Sequence, residues 1–176
     1  MKKPFALCFT GISGSGKTTL ANAVRELLEE RNIPIHVIDG DVLRGQLGNL
    51  FGYTREERIR QSQVVRVLAG SLMEHGINVL IAVVAPYETI RSGWRDYLGE
   101  DYLEVYVKCP YEVCAARDVK GYYKLSAQNQ MENLNGANDV YEPPRRAELT
   151  VRTDEMSQDA CVELVMKLLG ERGYEI

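Results

Sequence analysis

Five short apolar runs punctuate the chain, at residues 5–10, 35–39, 78–84, 103–108 and 148–152. They are rich in Val, Ile and Leu and alternate little, as strands covered on both faces do. Between them the apolar positions recur at helical spacing. From Lys17 onward, Leu20, Val24, Leu27 and Leu28 share one face. The clearest pattern predicts a helix over residues 55–75. Thr54 and Glu57 have the spacing of a capping box, Val64, Val65, Leu68, Ala69, Leu72 and Met73 form the apolar stripe, and Gly76 stops it. A last helix is predicted over 158–169, with Ala160, Cys161, Leu164, Val165, Leu168 and Leu169 on one side. Strands alternating with helices predict an α/β architecture with a mainly parallel five-stranded sheet and right-handed crossovers. One stretch, residues 122–144, is polar, rich in Asn, Gln and Tyr, and has no period. A segment of this length in a compact domain reads as a lid, expected to be mobile over about residues 120–144.

Composition narrows the possibilities. A chain of 176 residues is long enough for a single domain spanning 1–176 and too short for two. Net charge is −4, and no basic block suggests nucleic acid as a partner. No apolar stretch is long enough for a membrane span. The charged start Met1-Lys2-Lys3 is followed by an apolar run that ends at glycines, too soon for a signal peptide, so a cytoplasmic protein is expected. Four cysteines, Cys8, Cys109, Cys114 and Cys161, lack C-x-x-C spacing and nearby histidines, which argues against a zinc site or a disulfide framework. Cys8 and Cys161 fall in apolar patterns and are expected in the core. His36 falls in a strand pattern. His75 falls in the last turn of a helix, where it suits the helix dipole.

The chemistry concentrates at residues 11–19, Gly11-Ile12-Ser13-Gly14-Ser15-Gly16-Lys17-Thr18-Thr19, which match G-x-x-x-x-G-K-[ST] between a predicted strand and a helical pattern. That is the context a phosphate-binding P-loop requires. Backbone N–H groups of the loop and the helix N-terminus would cradle phosphate. Lys17 would reach the β- and γ-phosphates of a nucleoside triphosphate, and Thr18 would ligate Mg²⁺. The second strand closes on Asp39-Gly40-Asp41, and neighbouring strand ends in an open α/β sheet face one crevice. The third strand ends at Val83-Val84-Ala85-Pro86 without an acid. An acidic pair after the second strand, with none after the third, points to a small-molecule kinase. Arg44, Arg58, Arg91, Arg95, Arg117, Lys120 and Lys124 fall in or near loops at the same sheet edge, where cations would clamp a transferring phosphoryl group. Arg60, Arg66 and Arg145 read as surface residues.

Several segments together resemble the adenylylsulfate kinase family. They are the P-loop with its flanks, Ile38-Asp39-Gly40-Asp41-Val42-Leu43-Arg44, Phe51-Gly52-Tyr53-Thr54 with Arg58, Ala85-Pro86-Tyr87, the block from Cys114 to Lys124 that reads R-D-x-K-G-x-Y, and Tyr141-Glu142-Pro143-Pro144 with Thr153. The resemblance spans nearly the whole chain. It implies a P-loop NTPase three-layer α/β/α sandwich, usually a homodimer, that transfers the γ-phosphate of Mg-ATP to the 3′-hydroxyl of adenosine 5′-phosphosulfate. By resemblance, the P-loop residues Gly11, Ser13, Gly14, Ser15, Gly16, Lys17, Thr18 and Thr19 hold ATP, and Arg117 and Thr153 lie near its base. Thr18 and Asp39 serve the metal, and Asp39 also meets the acceptor hydroxyl. Asp41, Arg44, Tyr53, Arg58, Gln61, Lys120 and Leu134 face the acceptor nucleotide. Lys17, Asp39, Arg44 and Lys120 carry the transfer.

The chain departs from the family where the acceptor binds. Ala85 replaces a serine described as phosphorylated in the family, which excludes a phosphoserine at this position. Gln61 replaces an acceptor-binding Asn. Leu134-Asn135-Gly136-Ala137 replaces F-T-G-I, whose aromatic stacks on the acceptor base, while the opposing ring remains as Tyr53. An intact ATP half beside a drifted acceptor half leaves a rival acceptor open. It is another modified nucleotide such as cytidine diphosphoramidate, phosphorylated in the same way. A non-catalytic nucleotide-binding regulatory module is a third reading, opposed by the presence of Lys17, Thr18, Asp39 and Arg44.

Overall fold

The computed structural model describes residues 3–176, and the charged start at Met1 and Lys2 lies outside them. Five strands, β1 (Ala6–Thr10), β2 (Ile35–Asp39), β3 (Asn78–Ala82), β4 (Tyr102–Lys108) and β5 (Leu149–Arg152), alternate with seven helices. These are α1 (Lys17–Glu30), α2 (Gly40–Gln46), α3 (Arg55–Glu74), α4 (Glu88–Leu98), α5 (Tyr111–Arg117), α6 (Tyr122–Ala127) and α7 (Gln158–Glu171). The strands form one parallel sheet in the order β2-β3-β1-β4-β5. β1 is central and buried at every position. Its side chains alternate between two cores. Leu7 and Phe9 pack with Val24 and Leu28 of α1 and Val165 and Leu169 of α7. Ala6 and Cys8 pack with Val65 and Ala69 of α3 and Ile90 and Trp94 of α4. The result is three layers, with helices on both faces of the sheet.

Helix boundaries follow local chemistry. The capping box forms at α3. The Thr54 hydroxyl accepts from the Glu57 N–H at 3.4 Å and the Glu57 carboxylate accepts from the Thr54 N–H at 3.1 Å. The buried line of this helix is shifted from the expected stripe. It runs through Gln61, Ser62, Val65 and Ala69, while Leu68 is 40% exposed. His75 caps the C-terminus, its Nδ1 2.7 Å from the Ser71 carbonyl. All four cysteines are buried and free. Among the described residues no helix is long and apolar enough to cross a membrane, and no group of three or more His, Cys, Asp or Glu residues is placed to hold a metal.

The polar stretch 122–144, expected to lack regular structure, opens with α6. Six residues give less than two turns, too few for a period to emerge from the sequence. The rest is irregular but packed. Leu134 and Tyr123 form a third apolar cluster with Ile12 and Cys114. Gly136 sits at φ 89°, and a Cβ there would lie 2.6 Å from the Ile12 side chain, so this close approach requires glycine. The stretch then returns to the sheet. The Glu142 N–H donates to the Pro86 carbonyl at 2.8 Å, and Tyr141 shares a 3.0 Å hydrogen bond with Thr10.

Arg91 secures this return. Its side chain is 1% exposed and donates to the carbonyls of Ala85 at 2.7 Å and Glu142 at 2.8 Å and to the Glu88 carboxylate at 2.7 Å. The carboxylate of Glu104, 3% exposed, lies 3.8 Å from its Nε. Burial raises the Glu104 pKa while Arg91 opposes that shift. Arg91→Met should therefore destabilise the protein by about 3–5 kcal/mol, the usual result of leaving a buried charge and its acceptors without a partner. The loss should shrink between pH 8 and pH 5. A carboxyl whose folded pKa is raised takes up its proton first in the folded state, and protonated Glu104 needs no countercharge. Urea denaturation of both proteins at the two pH values measures this.

Candidate functional site

The site is built where β1, β2 and β3 end. The chain leaves β1 so close to β4 that any side chain at Gly11 would collide with the Val107 carbonyl. The loop then wraps to Gly16, which caps α1 without a side-chain hydrogen bond. First-turn N–H groups of such a helix point toward a ligand, with the positive end of its dipole behind them. Lys17 folds back over the loop and donates to the Ile12 carbonyl at 2.7 Å. Burial, and then the charge of Lys120, lowers its pKa to about 8. The Thr18 hydroxyl donates to Asp39 Oδ2 at 2.6 Å. Asp39 Oδ1 accepts from the N–H groups of Asp41 at 2.9 Å and Val42 at 3.1 Å, so the carboxylate also caps α2.

Two clefts meet here. Lys17, Thr18, Asp41 and Lys120 belong to the walls of both. One cleft runs over α1 past Gly14, Gly16, Thr19, Asp39, Arg117 and Thr153. At its far end Arg117 donates to the Thr153 carbonyl at 2.8 Å and reaches the Gly14 carbonyl at 3.5 Å, while the Thr153 hydroxyl donates to the Ser15 carbonyl at 2.7 Å. The other cleft lies under residues 120–135 and is lined by Ser13, Arg44, Tyr53, Arg58, Gln61 and Leu134 among others. Asp39, expected at the acceptor hydroxyl, lies on the first cleft and touches the shared wall through Thr18.

Charges in the second cleft are already engaged with the protein. Arg44 donates to the carbonyls of Phe51 at 2.5 Å and Gly52 at 2.6 Å and to the Gln61 side chain, whose amide in turn donates to the Gly40 carbonyl at 3.3 Å. Arg58 donates to the Tyr53 carbonyl at 2.9 Å and, across the cleft, to the Asn133 carbonyl at 2.6 Å. Both guanidiniums lie over the Tyr53 ring, at 4.3 Å and 5.3 Å from its centroid. Lys120 pairs with Asp41 and so ties the start of the proposed lid to α2.

Three cations expected nearby are elsewhere. Arg91 is the buried pin described above. Arg95 pairs with Glu148 at 2.7 Å. Lys124 is exposed and lines neither cleft. Sequence reasoning missed Tyr122, Met131 and Asn135, which line the second cleft from an aperiodic segment. The available signals were that Tyr122 fills the second variable position of the R-D-x-K-G-x-Y block and that Asn135 follows Leu134 in the segment that departs from the family.

The family model for adenylylsulphate kinase matches residues 3–152. The chain belongs to the adenylylsulfate kinase family. It is 38% identical over 166 residues to the adenylyl-sulfate kinase of Synechococcus sp. (strain JA-2-3B'a(2-13)), covering 94% of each chain. It is 36% identical to that of Halothermothrix orenii over 173 residues, covering 98% of this chain and 93% of the relative. Among solved structures, the Mycobacterium tuberculosis APS kinase in complex with AMPPNP and APS superposes with a TM-score of 0.91 at 28% identity, over 97% of this chain and 99% of that one. In this adenylylsulfate kinase loop Lys17 is a buried ammonium whose desolvation opposes folding, with the Ile12 carbonyl as its hydrogen-bond acceptor.

Lys17→Met should accordingly abolish turnover, with a loss on the order of 10²–10³ or more for removal of one stabilising group. It should leave the melting temperature, measured without nucleotide, unchanged or higher. The sign follows from the lowered pKa. The folded state binds fewer protons than the unfolded state between pH 8 and the usual lysine range, so wild type gains stability on Lys17→Met as pH rises through that window. Denaturation of the pair at pH 7 and pH 10 checks it.

Proposed function

We propose that the protein transfers the γ-phosphate of ATP to the 3′-hydroxyl of adenosine 5′-phosphosulfate. It is a kinase, a phosphotransferase with a hydroxyl acceptor, as its family is. The observation that carries the reading is the pair of clefts sharing the Lys17–Thr18 wall, which brings a donor and an acceptor to the same ammonium. Every relative described above is named for action on adenylyl sulfate, which disfavours the pyrimidine acceptor.

The reaction asks little covalent chemistry of the protein. Positioning and charge stabilisation supply the rate. Lys17 neutralises the charge that develops on the transferring phosphoryl group. Thr18 and Asp39 offer two oxygen donors 2.6 Å apart, a set that suits Mg²⁺. Held by these two residues, the ion would supply positive charge that offsets the charge of the ATP phosphates. Asp39, held by two backbone N–H groups and Thr18, takes the proton of the acceptor hydroxyl or orients it. Arg44 and Arg58 face the anionic tail of the acceptor, with Gln61 fixing Arg44. Lys120 comes from the other side with residues 120–144, which act as a mobile lid. Position 85 is alanine, so transfer is direct. The protein is proposed to work in the cytoplasm as a homodimer, and the exposed Val67 and Leu68 of α3 offer apolar surface for a second copy.

Turnover of Mg-ATP with adenosine 5′-phosphosulfate, with the phosphorylated position read from the product by ³¹P NMR, tests the proposal directly. ADP release that requires this acceptor and yields the 3′-phosphate is expected. A protein that turns over only another nucleotide would refute the assignment. Asp39→Asn should lower kcat by roughly 10²–10⁴ and change KM for ATP far less, as loss of a positioned general base does. Collapse of ATP affinity with kcat retained would assign Asp39 to the metal alone.

A further inference from the structure

Three aromatic side chains reach the acceptor cleft, Tyr53, Trp94 and Tyr122. Trp94 is 2% exposed and donates its indole N–H to the Ser62 carbonyl at 2.9 Å, so it belongs to the core. Tyr53 carries the two guanidiniums described above. Leu134 is 4% exposed and packs against Ile12 and Tyr123, so it presents little aliphatic surface. Tyr122 is only half-buried at the edge of the Ile12–Tyr123 cluster, and among the described residues no guanidinium lies over its ring.

Its direction is set by the residue that follows. Tyr123 buries its ring beside Tyr111, donates its hydroxyl to the Ser13 carbonyl at 2.7 Å, and donates its N–H to Asp118 at 3.0 Å. The Lys124 N–H donates to the same carboxylate, also at 3.0 Å. With Tyr123 fixed against the P-loop, the roughly 100° step of a helix turns Tyr122 into the cleft. There it lines the same cleft as Tyr53 and Asp41. Burial and then the Asp41 charge raise its pKa to about 12, so it stays a neutral phenol.

We propose that Tyr122 is a specificity-determining residue, whose ring supplies the lid-side face against which the aromatic base of the acceptor stacks. The inference rests on the reading that this cleft takes a nucleotide acceptor. A neutral aromatic face binds a flat heteroaromatic ring with little regard to its hydrogen-bonding pattern. It offers a phosphorylated sugar without a base much less. Tyr122 therefore selects nucleotides as a class, while the arginines hold the anionic tail.

The test is steady-state kinetics of full-length Tyr122→Phe and Tyr122→Leu, with acceptor and Mg-ATP varied in turn. Tyr122→Phe keeps the ring and should stay within about twofold of wild type. Tyr122→Leu should raise KM for adenosine 5′-phosphosulfate about tenfold, within the range that loss of one base–aromatic stack produces. KM for ATP and kcat should hardly change. Tyr122→Met replaces it if the leucine variant does not fold. An unchanged acceptor KM in the ring-deleted variant would overturn the inference. So would a parallel rise in KM for ATP, which would make Tyr122 a packing residue of the lid. So would equal damage from Tyr122→Phe, which would place its role in the hydroxyl. Failure of the wild-type protein to turn over this acceptor at all is a separate result. It would overturn the functional reading and this inference with it.

Discussion

The hydrogen bond from Thr18 to Asp39 joins the start of α1 to the end of β2, and the site is arranged around it. α1 follows β1, and β1 and β2 are not neighbours in the sheet, because β3 lies between them. The bond therefore spans the carboxyl end of β3, and that strand has to stop beneath it. It does so at Ala82. Thr10 then donates its hydroxyl to the Val84 carbonyl at 2.6 Å, and the chain turns away at Ala85, φ 42°. An acid at the end of β3 would stand beside the Asp39 carboxylate and repel it. The two acids of the site thus sit on one short segment after β2, where the N-terminus of α2 stabilises Asp39.

That arrangement explains why one lysine lines two clefts. Lys17 occupies the first turn of α1, directly behind the glycine loop, and the loop is too tightly wrapped to let its ammonium reach solvent freely. The desolvation that lowers its pKa also lowers the local dielectric, so its field acts strongly on whatever phosphate lies beside it. The cost of burying the charge is carried by the two cores, whose apolar contacts lie well below the loop.

Much of this was legible in the chain. β2 has the predicted bounds, because its apolar run begins and ends sharply between polar turns. Other ends moved for local reasons. Phe5 gives its N–H to the Asn78 side chain at 3.1 Å instead of to a strand partner, and Val83 and Val84 belong to the turn that feeds Thr10. The P-loop and the Asp39–Asp41 pair were readable because spacing along the chain fixes their geometry. α2, α5 and α6 were not, since one or two turns carry no period. The arginines were the least legible. Sequence shows where a positive charge is and hides what pairs with it. Arg44 and Arg58 lie in the cleft, Arg91 binds backbone carbonyls in the interior, and Arg95 pairs with Glu148.

Arg91 also constrains how this sequence can change. Its partners come from Ala85, Glu88, Glu104 and Glu142, which lie in the turn after β3, in α4, in β4 and in the segment returning from the proposed lid. Substitutions that share one partner do not add. Loss of Arg91 strands the buried Glu104, whereas loss of Glu104 leaves Arg91 its bonds to Ala85, Glu88 and Glu142, so removing Glu104 after Arg91 costs less than the two single losses suggest. These positions form a single unit of inheritance. A lineage that leaves this network has to replace its charged members together, and one that replaces them singly passes through its least stable intermediates.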